Sequence, residues 1–155
     1  MMNLEAPLNK QSTLIHKLLI WGFIVVSLIG FLDATYLTTK HYLRTPINCS
    51  VFNGCEEVTT SKYSTVAGIP VALLGAIYYL TIFILGIAYV DTKKEALAYF
   101  AARLTLIGFI VSLWLVYLQF FVLHALCLYC LVSAVTSTTL FVLGFFVLRL
   151  KNKTT

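Results

Sequence analysis

The sequence predicts an all-α integral membrane protein: a bundle of four transmembrane helices with an outer loop and short helix between the first two spans. Two observations carry this. Of 155 residues, 60% are hydrophobic and 11% are charged, where a soluble domain averages about 45–50% apolar and about 25% charged. The apolar residues also fall in runs long enough to cross a bilayer, since hydrocarbon about 30 Å thick needs about 20 residues at about 1.5 Å each. The same composition excludes a disordered chain, and the length fits one membrane domain over 1–155.

The first run is Leu18 to Thr38 (18–38), uncharged except for Asp33. The second, Val66 to Val90 (66–90), carries no charge and ends at the polar stretch Asp91 to Glu95. After Arg103 no formal charge appears until Arg149. As one helix that stretch would be about 70 Å long, more than twice the hydrocarbon thickness, so the chain must fold back. The most polar interruption is Gln119 to His124, which gives spans of about 97–122 and 126–148. The sizeable loop is 41–65, with turn signals at Pro46 and Asn53-Gly54. The N-terminal run is too long for the apolar core of a cleaved signal peptide, and no A-x-A-like site follows it.

Lys and Arg in short loops set orientation. With both termini on one side, that side carries Lys10, Lys17, Lys93, Lys94, Arg103, Arg149, Lys151 and Lys153, and the other carries Lys40, Arg44 and Lys62; eight plus three accounts for all 11. The eight predict cytoplasmic termini. The basic balance is then a topology signal and not a nucleic-acid footprint.

All four cysteines fall on the outer side, where disulfides are permitted. Cys127-Leu128-Tyr129-Cys130 is a C-x-x-C at a predicted helix start. Positions i and i+3 share a face, and the N-terminal N–H groups favour a reactive thiolate. Cys49 and Cys55 form a wider pair in the outer loop, where a disulfide would stabilise by only about 2 kcal/mol. Glu56 and Glu57 should raise the Cys55 thiol pKa, with Lys62 as an offset. Two pairs at one membrane face can relay two electrons by thiol–disulfide exchange. The loop pair can meet a soluble thiol protein, and the helix pair a lipid-soluble quinone. A four-cysteine zinc site is the rival, but its second pair normally has two to four intervening residues, and Cys49 and Cys55 have five. No metal is assigned.

Cys49-x5-Cys55, Ser61 six residues later, Gly68-Ile69-Pro70 entering span two and Cys127-x-x-Cys130 opening span four together make the chain resemble the vitamin K epoxide reductase family in its short microbial form. The resemblance covers about residues 14 to 150. It implies a four-helix bundle around a quinone, with Cys127 and Cys130 as the active-site pair and Cys130 facing the quinone. It implies that Cys49 and Cys55 are the shuttle pair, with Cys55 attacking Cys127. Ser61, Leu74, Tyr78 and Leu123 are the residues it places at the quinone. Many microbial members carry a fused thioredoxin-like domain, so the expected partner here is a separate extracytoplasmic thioredoxin-fold protein. The order of the pairs separates this family from bacterial quinone-linked thiol oxidases whose C-x-x-C comes first.

Members that reduce the epoxide carry a Tyr four residues after the last cysteine and an Asn early in span two; here those positions are Ala134 and Val71. The expected activity is therefore transfer of electrons from a periplasmic thiol protein to a membrane quinone of the ubiquinone, menaquinone or phylloquinone kind, in the inner membrane, in support of disulfide formation. The alternatives are an epoxide or quinone reductase of the endoplasmic reticulum, and a non-enzymatic scaffold with structural disulfides or a zinc site. Asp33, as an intramembrane acid, and His124, in the turn before the C-x-x-C, are further candidates without an assigned role.

Overall fold

The computed structural model describes residues 5–45, 47 and 54–151, with side chains described over 14–45, 47 and 54–149. Five α-helices follow in order: α1 (Glu5–Leu43), α2 (Cys55–Thr60), α3 (Val71–Thr92), α4 (Glu95–Tyr117) and α5 (Leu128–Lys151). A 3-10 turn, Lys62–Ser64, and a two-stranded hairpin, β1 (Thr65–Val66) with β2 (Ile69–Pro70), stand between α2 and α3. Four segments are long and apolar enough to cross a membrane: Leu14–Leu43, Val71–Thr92, Glu95–Leu123 and Leu128–Arg149. The four pack as a closed ring in which α1 touches α3 and α5, and α4 touches the same two.

The second span starts at Val71, later than the apolar run that opens at Val66. The reason is local. Ala67 and Gly68 both take positive φ (53° and 81°), the pair of angles that turns a tight hairpin. Thr65 then pairs with Pro70 and Val66 with Ile69, antiparallel. Hydropathy alone cannot distinguish this outer hairpin from the first turn of a helix. The third span does not end with α4 at Tyr117. It continues through a π-helical turn, Leu118–Leu123, before the chain reverses at His124.

Inside the ring, buried hydroxyls return their protons to their own helices, as backbone and side chain must satisfy each other where water is absent. Ser27 donates to the Ile24 carbonyl, Thr38 to Ala34 and Thr105 to Ala102. Tyr79 does more. Its hydroxyl crosses the bundle from α3 to α5, donating to the Ser133 carbonyl at 2.7 Å and lying 3.0 Å from both Ser133 Oγ and Thr136 Oγ1. Its ring fits over Gly30 of α1, where an added Cβ would lie 2.5 Å from the ring. One side chain thus ties three helices.

Tyr79→Phe should lower unfolding free energy by about 1 kcal/mol, the usual worth of such a bond. Gly30→Leu should cost more, because it drives a side chain into the ring. Thermal unfolding of the two variants in detergent tests the order; a greater loss in Tyr79→Phe would refute it.

Candidate functional site

The sulfurs gather at one end of the bundle. Cys55 and Cys127 are 1% and 0% exposed and lie in one buried cluster with Leu37, Ile47, Val58 and Ala125, against which Leu123, Tyr129 and Cys130 pack. Cys55 opens α2, whose first helical bond runs from the Val58 N–H to the Gly54 carbonyl at 3.0 Å. Glu56 and Glu57 occupy the first turn of α2 and are exposed, where acids favour a helix N-terminus. Cys55 is disulfide-bonded, while Cys127 and Cys130 are free thiols. Cys49 lies outside the described residues.

Cys127 stands immediately before α5 and caps it. Its carbonyl accepts the Leu131 N–H at 3.0 Å, and its Sγ accepts the Cys130 N–H at 3.4 Å. The capping role ordinarily filled by a side-chain oxygen is here filled by sulfur. The Cys127 thiol is held below its usual pKa, first by the hydrogen bond from the Cys130 thiol and then by the N–H groups of Cys130 and Tyr129; burial and the charge of Asp33 oppose this. The Cys127 thiol therefore gives up its proton more readily than an ordinary cysteine.

The residue that positions Cys127 is Gln119. It is 2% exposed, although a polar residue in an apolar run reads as part of a solvated turn. Its Oε1 accepts the Cys127 N–H at 3.0 Å, and its carbonyl accepts the N–H groups of Ala125, at 3.2 Å, and His124. One residue thus takes three N–H groups of the break between α4 and α5. His124, with φ of 48°, is exposed at the reversal. The sequence signal for Gln119 was its isolation among apolar residues, which distinguishes a polar clamp from a wet turn only once the fold is known.

The residues assigned to the quinone are dispersed. Leu123 lies beside the cysteines. Ser61 donates its hydroxyl to the Val58 carbonyl at 2.7 Å and its backbone carbonyl receives Ser64, so it links α2 to the next turn. Leu74 is 43% exposed on the outside of α3. Tyr78 is half-buried, edge-on to Tyr79, with its hydroxyl over Gly108 of α4. Tyr78 Oη, Ser137 Oγ and one carboxylate oxygen of Asp33 are buried without a hydrogen-bond partner among the described residues. An apolar cavity lined by Phe23, Leu85, Tyr89, Ala98, Ala101 and Val147 lies at the opposite end of the bundle from the cysteines. Among the described residues no three His, Cys, Asp or Glu side chains gather to hold a metal ion.

A four-helix membrane bundle with a capping C-x-x-C thiol pair and a second, disulfide-forming cysteine buried beside it defines a membrane thiol oxidoreductase. Residues 21–145 match the vitamin K epoxide reductase family, and the chain belongs to that family. No curated protein matches it. Members of the family are membrane oxidoreductases that work with quinones in general.

Gln119→Leu should leave the buried Cys127 N–H without an acceptor and cost about 1–3 kcal/mol, whereas Gln119→Glu keeps an acceptor oxygen and should cost less. In a variant lacking Cys49 and Cys55, thiolate absorbance against pH should show the first thiol titrating below the ordinary cysteine range. Removing Cys130 should move that titration upward, since its thiol is the main cause of the lowered value. An unchanged midpoint in Cys130→Ala would rule out the hydrogen bond as the cause.

Proposed function

We propose that the protein passes two electrons from a reduced extracytoplasmic thioredoxin-fold partner, through its loop and helix cysteine pairs, to a membrane quinone, and so supports disulfide formation. The observation that carries this is the burial of disulfide-bonded Cys55 in one cluster with the Cys127 thiol. A disulfide sulfur is no metal ligand, which favours exchange over a four-cysteine zinc site.

The partner's thiolate attacks the Cys49–Cys55 disulfide at Cys49 and releases Cys55 as a thiolate; the partner's second thiol then completes its own disulfide and frees Cys49. Cys55 attacks Cys127 of the oxidised helix pair, so that the Cys55–Cys127 bond forms, the Cys127–Cys130 bond breaks and Cys130 takes the electron pair and a proton. Cys49 next attacks Cys55, re-forming the loop disulfide and expelling Cys127. A leaving thiol of lowered pKa departs faster, and Cys127 has that property. Cys130 then gives up its proton and an electron pair as the Cys127–Cys130 disulfide re-forms. Bound quinone supplies the two-electron acceptor, and solvent at the outer end supplies the second proton. Tyr78 Oη and Ser137 Oγ lie near each other as polar groups within the bundle, suited to hydrogen-bond quinone carbonyls. Asp33 has no step in this scheme.

The substrate follows from what Ala134 and Val71 lack. Opening an epoxide requires protonation of its oxygen by a placed donor, and neither side chain offers one. Purified reduced protein should turn over ubiquinone or menaquinone analogues with dithiothreitol, turn over vitamin K epoxide far more slowly, and lose both activities in Cys130→Ala. Comparable rates on quinone and epoxide would move the endoplasmic reticulum reductase ahead; turnover surviving in Cys130→Ala would end the relay reading.

The charge distribution supports cytoplasmic termini. Lys40, Arg44 and Lys62 lie at the cysteine end, and Lys17, Lys93, Lys94, Arg103 and Arg149 at the other. The inner membrane of a bacterial cell, with the cysteines facing the periplasm, fits this arrangement. In a cysteine-free background, Val66→Cys, on the exposed hairpin, should react with a membrane-impermeant maleimide in intact cells. Lys93→Cys should react only after lysis. The reverse pattern would invert the orientation.

A further inference from the structure

The relay proposed above needs Cys55 to reach Cys127, and the described residue just before Cys55 is unusually close to the other pair. A Cβ built on Gly54 would lie 2.8 Å from the Leu126 backbone nitrogen, 2.9 Å from Ala125 Cβ and 3.1 Å from Ala125 Cα. These are backbone and near-backbone atoms, with no flexible side-chain tip to move aside. Gly54 has φ −95° and ψ 1°, angles open to any L-residue. The backbone conformation therefore does not require glycine here; the space does.

Both surfaces of the contact are held. On one side the Gly54 carbonyl accepts the Val58 N–H at 3.0 Å and anchors α2. On the other, the Gln119 carbonyl and Oε1 hold the N–H groups of Ala125 and Cys127 at 3.2 and 3.0 Å. Ala125 is itself buried in the cysteine cluster. A methyl group at position 54 cannot be absorbed by rotation of a side chain, so it must separate the loop from the turn. Cys55 and Cys127 are the next residues along the two segments, and their sulfurs would separate with them.

We propose that Gly54 is the docking residue of the shuttle loop: its missing side chain lets the loop seat on the Ala125–Leu126 turn and brings Cys55 within exchange distance of Cys127. It is a positioning residue, acting through Cys55, and the inference rests on the relay reading. Attack of a thiolate on a disulfide needs contact between sulfurs, and displacement of reacting atoms by about 1 Å costs roughly a hundredfold in comparable cases.

The test uses the full chain in detergent with Cys49→Ser, so that no loop thiol resolves the mixed disulfide. The protein is reduced, a short-chain ubiquinone is added to oxidise Cys127 and Cys130 to their disulfide, and formation of the Cys55–Cys127 bond is followed by mass spectrometry. If that bond never forms with Gly54 in place, the relay reading itself fails. If it forms, adding Gly54→Ala should slow it by about tenfold or more; an unchanged rate overturns the docking role. A slowed rate with an unchanged melting temperature supports it. Should Gly54→Ala also lower the melting temperature, oxidation of the reduced Cys127 and Cys130 by the quinone is timed in the same variant, well below its melting midpoint. Slowed exchange with an unchanged oxidation rate supports docking, and an equal slowing of both steps assigns Gly54 to the fold alone and overturns the proposal.

Discussion

The break between α4 and α5 is the constraint on which the site depends. Ala125 and Cys127 are buried there, so their backbone N–H groups must find acceptors within the protein. Gln119 supplies them. Its carbonyl and side-chain oxygen hold the N–H groups of Ala125 and Cys127, and the π-helical turn it sits in widens α4 just before the reversal. Cys127 consequently reaches the start of α5 with its backbone fixed and its sulfur free to cap the helix.

That capping arrangement divides the labour of the two helix thiols. Cys127, outside the span, gathers the N–H groups of the first turn and the proton of Cys130. Cys130, one turn in, is partly buried and packs against the cluster that holds Cys127. The lowered Cys127 value arises first from the hydrogen bond of the Cys130 thiol and then from the N–H groups at the helix N-terminus. The thiol nearer the loop is thereby the better leaving group toward it.

The remainder of the bundle holds this end steady. Tyr79 crosses from α3 to α5 over Gly30 of α1 and bonds Ser133 and Thr136 within two turns of Cys130. Tyr36 of α1 packs at a tilt against Tyr129, between the two cysteines, with ring centroids 5.0 Å apart. The side chains around the C-x-x-C are thus braced from the interior by a hydrogen bond and from the α1 side by an aromatic contact. Away from these points the helices expose apolar residues such as Leu18, Trp21 and Phe121, as lipid-facing surfaces require.

The four spans and the C-x-x-C at a helix start were legible in the sequence because hydropathy and spacing are properties of the chain itself. A run of apolar residues longer than the bilayer must fold back whatever its partners, and Cys127 and Cys130 share a helix face by their separation alone. The hairpin at Val66 to Pro70 was not legible, since its residues are as apolar as a helix start and only the positive φ of Ala67 and Gly68 sets it apart. Gln119 was visible as part of the polar interruption, but its burial was not, because burial depends on what packs around it. Tertiary structure alone decided that Leu74 faces outward while Leu123 meets the cysteines, and that Gly54 needs space where its own backbone angles would accept any side chain. The physical reason is the same in each case: local sequence sets which conformations a segment can take, and contacts between distant segments select which of its atoms have room.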